Sequence, residues 1–505
     1  MYRWLTILAL SAWPFLAFAS GNKGNFLDYG TMFAVWAASF ASLAVALAVL
    51  QRVLQSGKLL TPLVNSTCVG FALFFTYGAL NNFLIKNFMV NQARYALIVW
   101  AVLVVVVVGS TWRLSQRSES SMVLAAAGGA MALLAAWGAA PDIIESGVAS
   151  GNQRPEISAP PPKSTVKRQP DVFFFLFDAY GRADMLKAGM GYDNTPFLDQ
   201  LRQRGFSVLD KSFANFPITN LSLSSTLNMD FVVKPGSGGK RGYLAYQPIL
   251  AGYNNTVRMF QRVGYSYIHA GSNSWGQSHC RGPGVYCVPA QTEGLSETLS
   301  GLLAATPLEI TLRKLAPKFI RYKISELPYV TEKIHAIRDR VDGPVFVFAH
   351  ILIPHETVYR KDCSFRGREG RLVAYIPEKK KVYYTQTLAC LNKQIMLYLD
   401  WLLAKNPEAL VILQSDHGFT LGTDYMFSRP FSEWTKEEVA WRYAILNSIR
   451  APKQCRRHLY PTLSPVNTFR FVRGCLLGKE SENLPDNSYF ATYYRDKILL
   501  RDPAE

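Results

Sequence analysis

The chain has 505 residues, 49% of them hydrophobic and 18% charged, with a formal net charge of +18. Its first third is too apolar for a water-soluble helical bundle, and what remains is ample for a large soluble core. The excess of Lys and Arg does not point to nucleic acid, since no recognition motif accompanies it; it suits anionic headgroups or an acidic surface glycan.

Apolar stretches fall at about residues 4–20, 31–50, 61–84, 95–112 and 122–140. Each is close to the ~20 residues that cross a ~30 Å hydrocarbon core as a helix. Val102 to Val108 is apolar on every side, as a lipid-facing helix is. Arg3, Arg52 with Lys58, and Arg113 with Arg117 share one side of the predicted spans. The opposite loops carry Lys23, Lys86 and Arg94, so the positive-inside count puts the N-terminus in the cytoplasm and everything after about residue 150 outside it. Ala17-Phe18-Ala19 before Ser20 also fits a cleavable signal peptide, which would leave four spans and the same placement of the large domain.

The expected division is a transmembrane bundle of about five helices over 1–140, a Pro-rich linker over 141–170 and an extracytoplasmic domain over 171–505. Cys68 lies inside a span. The other six cysteines fall in the outer domain as neighbours in order, Cys280 with Cys287, Cys363 with Cys390 and Cys455 with Cys475. An even number confined to one domain suits disulfides in an oxidising compartment, although six cysteines admit about fifteen connectivities. A Cys-rich metal knuckle with His279 is the alternative for the first pair.

Along the outer domain, Val172 to Phe177 reads as a buried strand and Thr195 to Arg204 as a helix opened by Pro196 and ended at Gly205. Val257 to Val263 (helix) and Tyr265 to Ala270 (strand) repeat the pattern; Pro344 to Phe348 and Ala409 to Leu413 are further strands around a long helix, Tyr383 to Leu403. Strands apolar on both faces and separated by helices predict an α/β sandwich with a mainly parallel sheet, whose ligands gather at strand carboxyl ends. Four chemically loaded segments sit at such places. Asp178 follows the first strand, His350 follows Val345 to Ala349 with His355 behind Pro354, and Asp416-His417-Gly418 follows the last strand. The hydroxyl-rich stretch Asn215 to Thr226 looks like a loop entering a helix. Taken singly, each has a structural reading as a cap, turn or satisfied core group.

Together, in the order Asp, Pro-x-Thr-x-x-Ser, His-x4-His and Ser-Asp-His-Gly, they resemble the sulfatase-like branch of the alkaline phosphatase superfamily, and within it the membrane-anchored lipoteichoic acid synthases and lipid A phosphoethanolamine transferases. The resemblance implies that Asp178, Asp416 and His417 bind a metal with Thr219, that Thr219 is the nucleophile, and that His350 and His355 serve the transferred group or the leaving group. Asn220, Ser222 and Arg442 are candidates for substrate binding. Two carboxylates, an imidazole and a threonine oxygen suit Zn²⁺ or Mn²⁺ better than Ca²⁺. Asp178 is followed by Ala179 rather than a second acid, and no Cys-x-Pro-Ser-Arg occurs, which disfavours sulfate esters. The family's histidine a dozen residues past Asp-His-Gly is missing, for Phe419 to Arg429 contains none.

The expected activity is an envelope phosphotransferase in the bacterial cytoplasmic (inner) membrane. It would move phosphoethanolamine or phosphoglycerol from a membrane phospholipid to a surface polysaccharide or lipid acceptor through a phospho-threonine. A sulfatase-like hydrolase, or a binding partner for polymer export without catalysis, are the alternatives. The basic run Lys361, Arg366, Arg368, Arg371, Lys379, Lys380 and Lys381, in the segment marked by Cys363 and Cys390, is either a solvated loop or an attractor of anionic headgroups.

Overall fold

The structure is a computed structural model, and it describes residues 2–22, 27–53, 57–88, 93–117, 119–152, 169–233, 246–271, 280, 284–289, 295–316, 325–355, 358–365, 377–421, 431–492 and 495–500. His279, Arg366, Arg368, Arg371 and most of the linker lie outside the described residues. The chain divides into two compact units, Met1–Gly151 with Glu293–Tyr322, and Asn152–Thr292 with Lys323–Glu505.

In the first unit, Tyr2–Gly21, Tyr29–Val53, Arg94–Leu114 and Ser120–Ala140 are helices long and apolar enough to cross a membrane. The stretch expected as a third span is broken into Leu59–Phe74 and Tyr77–Leu84, bent by 46°. A break in an apolar setting frees backbone groups that must find partners. Here the Leu73 carbonyl accepts from the Thr76 hydroxyl at 2.7 Å and from the Trp100 indole at 3.1 Å. Just beyond, Gly78 N–H donates to the Ala305 carbonyl at 3.0 Å, and a Cβ at Gly78 would run into the Ala304 carbonyl. Helix Glu297–Ala304 thus belongs with the apolar helices, with Leu302 buried among Phe15, Ala19, Met32 and Ala139. Composition places this segment with the soluble domain; the bare backbone at Gly78 is what admits it here. Asn65 joins helices in the same unit by donating to Ser115 and accepting from Ser121.

The second unit is built on a seven-stranded sheet of order β2-β7-β6-β1-β5-β3-β4. Its strands are β1 (Val172–Phe177), β2 (Phe206–Val208), β3 (Ser266–Ala270), β4 (Val285–Cys287), β5 (Val345–Ile351), β6 (Leu410–Gln414) and β7 (Asn447–Arg450). β1 runs parallel to both β5 and β6, and β3 parallel to β5 and β4, whereas β7 is antiparallel to β6 and β2. The α/β fold with a mainly parallel sheet is therefore as the sequence implies. A separate antiparallel pair, β8 (Tyr489–Thr492) and β9 (Arg495–Leu500), closes the chain.

β1, β5 and β6 are buried on both faces, which explains their unbroken apolar runs. Phe174 stacks on Phe348 at 5.6 Å and meets Phe469 edge-on at 5.1 Å. Phe469 comes from helix Pro465–Leu477, whose Cys475 is bonded to Cys455. The remaining disulfides are Cys280–Cys287 and Cys363–Cys390, so the described cysteines of the outer domain pair as neighbours in sequence. Cys68 is free and buried.

Removing the Phe174 ring leaves a void against two other rings. Phe174→Ala is expected to lose about 3–5 kcal/mol of stability, measured by denaturant unfolding of the detergent-solubilised protein; a loss under about 1 kcal/mol contradicts this core.

Candidate active site

Each chemically loaded residue is delivered by a strand end or a helix start. Asp178 is the first residue after β1. Its N–H donates to the Ile351 carbonyl at 2.9 Å and its carbonyl accepts from His355 N–H at 3.0 Å, so the turn after β5 is clipped to it on both sides. Ala179 then takes φ +59°, an unusual conformation for a residue with a Cβ. Two bonds hold it there: its N–H donates to Asp416 Oδ1 at 3.2 Å, and its carbonyl accepts from the Tyr384 hydroxyl at 2.7 Å. Tyr180 N–H donates to Ser415 Oγ at 2.8 Å. The Tyr180 hydroxyl sits in a closed ring of hydrogen bonds with Asn194 and Asn392.

Asp416 and His417 leave the neighbouring strand β6. Ser415 Oγ donates to the His417 carbonyl at 2.7 Å. Gly418 N–H donates to the Arg442 carbonyl at 2.7 Å, and a Cβ there would strike the Trp441 carbonyl oxygen. The glycine is needed for close approach between two backbones rather than for a special φ. Thr219 is the first residue of helix Thr219–Asn228. Two contacts seat that helix on the acid-imidazole corner: Ser222 Oγ donates to the Asp416 carbonyl at 2.6 Å, and Arg442 Nε donates to the Pro217 carbonyl at 2.7 Å.

At the centre, the Thr219 hydroxyl lies 3.2 Å from His417 Nε2. The same nitrogen faces Asp416 Oδ2 at 3.3 Å and Asp178 Oδ1 at 3.5 Å. Burial, and after it the Arg442 guanidinium, push the His417 imidazole down to about 4, so the ring is neutral at neutral pH. Its Nδ1 lies 2.9 Å from the Gly418 carbonyl, which can only accept. The proton therefore sits on Nδ1, and Nε2 presents a lone pair to Thr219 and the two carboxylates. Burial by itself would raise the Asp178 carboxyl, but the neighbouring His355 and a hydrogen bond with His350 hold it well below the usual carboxylate range.

A lone pair facing two carboxylate oxygens lacks a positive partner. Asp178 Oδ1 and Asp416 Oδ2 receive no hydrogen bond from any described residue. One ligand atom each from Asp178, Asp416 and His417 lies within 4.8 Å of the others, all three residues being buried. Buried anions are paired or bind metals. A divalent cation fits this corner, where carboxylate oxygens, the bare imidazole nitrogen and the threonine oxygen converge.

The expected residues come together with differing weight. His350 lies within β5 rather than beyond it, because the strand runs on to Ile351; its Nε2 is 3.5 Å from Asp178 Oδ2. His355 is exposed, its ring 6.3 Å from that of His417. Arg442 and Ser222 hold backbone at the site through the bonds given above. Asn220 is fully buried, and neither polar atom of its side chain has a hydrogen-bond partner among the described residues. Sequence reasoning gave no role to Ser415 or Tyr384. Ser415 stands inside the Ser-Asp-His-Gly motif and could have been marked, whereas Tyr384 is one aromatic on a long helix with no local signal.

A sequence model of the sulfatase family matches residues 170–447. No curated protein matches the chain. Among solved structures it is similar to the integral membrane lipooligosaccharide phosphoethanolamine transferase A (EptA) from Neisseria meningitidis. The identity is 15% and the TM-score 0.41, with 94% of this chain and 95% of that one covered. The C-terminal periplasmic domain of EptC from Escherichia coli, in complex with Zn, is 14% identical at a TM-score of 0.40, covering 68% of this chain and 97% of that one. The phosphonate monoester hydrolase of Agrobacterium radiobacter is also 14% identical at 0.40, covering 64% and 80%. The family match spans more than half of the chain and contains Asp178, Thr219, His350, His355, Asp416 and His417, and the chain belongs to the sulfatase family of enzymes.

Proposed function

We propose that the protein is a metal-dependent phosphotransferase that moves a phospho-headgroup from a membrane phospholipid to a surface glycan or lipid acceptor through a phospho-threonine. The observation that carries this reading is the Thr219 hydroxyl, 3.2 Å from a neutral His417 Nε2 in a corner closed by Asp178 and Asp416. A divalent ion in this corner would be held by Asp178, Asp416, His417 and Thr219, and would supply the positive charge that makes the threonine hydroxyl a better nucleophile and offsets charge on the phosphoryl group. This donor set favours Zn²⁺ or Mn²⁺ over Ca²⁺.

The chain's own groups account for the rest. Thr219 Oγ gives up its proton to solvent and forms a bond to phosphorus as the bond from phosphorus to the lipid alcohol breaks, and the leaving alcohol takes up a proton in turn. His355, exposed at the mouth, is placed to exchange that proton with solvent, and the buried His350 orients Asp178. The helix start at Thr219 turns its N–H groups toward the phosphoryl oxygens, and the Arg442 guanidinium adds positive charge nearby. Asn220, buried with both polar atoms unpaired among the described residues, offers a donor and an acceptor to the substrate. An acceptor hydroxyl then displaces Thr219 and returns its proton.

Four or five apolar helices in the same chain favour a lipid as donor. A second reading, hydrolysis of a phosphate or sulfate ester by the same threonine with water as acceptor, is favoured by the family match itself. Ala179 in place of a second acid weighs against sulfate within that reading.

With labelled envelope lipids, the purified full-length protein is expected to place label on an acceptor and release diacylglycerol. Release of headgroup phosphate to water alone would establish the hydrolase. Thr219→Ala is expected to lose roughly 10³-fold or more in turnover, and a variant of full activity overturns both readings. Chelation is expected to abolish turnover, with Zn²⁺ or Mn²⁺ restoring it better than Ca²⁺.

The pH dependence of stability has a definite sign. Folded His417 titrates at about 4, below its ordinary 6.5, so between these values the unfolded chain binds more protons and stability falls as pH is lowered. In metal-stripped protein this window is expected to cost at most about 3 kcal/mol, and His417→Gln should flatten it; an unchanged slope would place the proton elsewhere.

A further inference from the structure

A cavity of about 570 Å³ lies in the second unit, away from the acid-imidazole corner. Its walls are the end of helix Thr219–Asn228, helix Asn255–Arg262 and the last turns of helix Pro465–Leu477. Thr219 opens the first of these helices and Asn228 ends it, so the two places are separated by roughly 14 Å of helix rise. Val263, another lining residue, precedes β3, at the end of the sheet opposite the carboxyl ends that carry Asp178 and Asp416. The cavity is therefore no part of the reaction site.

Its lining has two components. Arg258 and Arg262 stand one turn apart on one helix, and Arg470 and Arg473 on another, against Asp230 as the one acid in the lining. Arg470 is committed to structure, with Nε donating to the Met229 carbonyl and a terminal nitrogen to the Glu482 carbonyl. Arg473 has a distant ion pair at 3.7 Å with the exposed Glu482, which is worth little. Arg262 is exposed and has no partner among the described residues. The second component is apolar: Met259, Val263 and Leu477 line the same space, and Leu477 remains 40% exposed.

We propose that this cavity is a second, non-catalytic site that binds a phosphate-bearing amphiphile of the phospholipid class. Guanidinium groups on two facing helices match the oxygens of a phosphate, and the apolar wall takes the start of an acyl chain. The volume is that of a small-ligand site. Arg258 donates to Asn255 Oδ1 at 2.8 Å, so Arg262 is the guanidinium that a neutral lipid would leave without a partner among the described residues, while a purely hydrophilic anion would leave Leu477 uncovered. No hydroxyl side chain or metal-ligand cluster is among the described residues that line the space, so the site is proposed to hold its ligand and not to convert it.

The test is photolabelling of the full-length protein in detergent with a short-chain phosphatidylglycerol carrying a diazirine in its chain, with the labelled peptides mapped by mass spectrometry. Label is expected on the peptides that contain Met259 or Leu477, at least tenfold weaker in Arg262→Gln with Arg473→Gln, and unchanged in Thr219→Ala. Thr219→Ala separates this site from the reading of the active site. The diazirine diacylglycerol of the same chain length is expected to label these peptides at least tenfold less, a comparison that needs no variant. Equal labelling by the uncharged probe, label confined to other peptides, or undiminished label in the double variant overturns the proposal. Full displacement by glycerol phosphate without a chain also overturns it, since the site would then serve a soluble anion.

Discussion

Asp178 and Asp416 are 4% and 1% exposed, and each turns an unbonded oxygen toward the same nitrogen of a neutral His417. Two carboxylates within 4.8 Å of one another repel by at least about 3 kcal/mol at an effective dielectric near 20. Neither the imidazole lone pair nor the threonine hydroxyl relieves that repulsion. A divalent cation would complete this arrangement, and much of the surrounding backbone holds the two acids in place against their mutual charge.

The sheet order makes this possible at low conformational cost. β1 and β6 are parallel neighbours, so Asp178 and Asp416 emerge side by side at the same end without any long loop. β5 flanks β1 on its other side and brings His350 and the His355 turn to the same edge. The strained turn at Ala179 follows from this crowding. The chain must leave β1 sharply enough for the Ala179 N–H to reach Asp416, and the Tyr384 hydroxyl and Ser415 compensate with bonds to the backbone of Ala179 and Tyr180. Gly181 and Gly418 meet the Phe419 ring and the Trp441 carbonyl so closely that neither position has space for a side chain.

How much of this could be read beforehand depended on whether the cause was local. Phe173 to Phe177 and Leu410 to Leu413 announce buried parallel strands because both faces are covered, and an acid directly after the first run and three residues past the second is visible in the sequence. Asp178, Thr219 and Asp416-His417 could be marked for a related reason, since they follow or open a regular element, whereas His350 lies inside β5 and Arg442 inside helix Lys436–Tyr443. β7 was not, because Asn447-Ser448-Ile449-Arg450 is polar and short, and its place comes from pairing with β6. The break at Thr76 is held by the Trp100 indole 27 positions from Leu73, and the docking of helix Glu297–Ala304 against Gly78 depends on a contact between residues more than two hundred positions apart. No periodicity records such contacts.

Helix Thr219–Asn228 shows how the fold reconciles a polar helix with a buried place. Thr219 to Leu227 are all buried, and most carry a hydroxyl or amide, a composition that a soluble core avoids unless each group finds a partner. Ser222 bonds the Asp416 carbonyl, Thr226 bonds the Ser222 carbonyl, and Ser225 accepts from Val232 N–H, whereas Asn220 and the Ser224 hydroxyl have no partner among the described residues. The bonds that are made tie the helix to the acid-imidazole corner at one end and to the following loop at the other. An apolar helix would pack as well but could slide; a helix pinned by its hydroxyls fixes the position of Thr219 Oγ to within a hydrogen bond. For the nucleophile proposed above that rigidity would matter, because misplacement by about 1 Å costs roughly 10²-fold in rate.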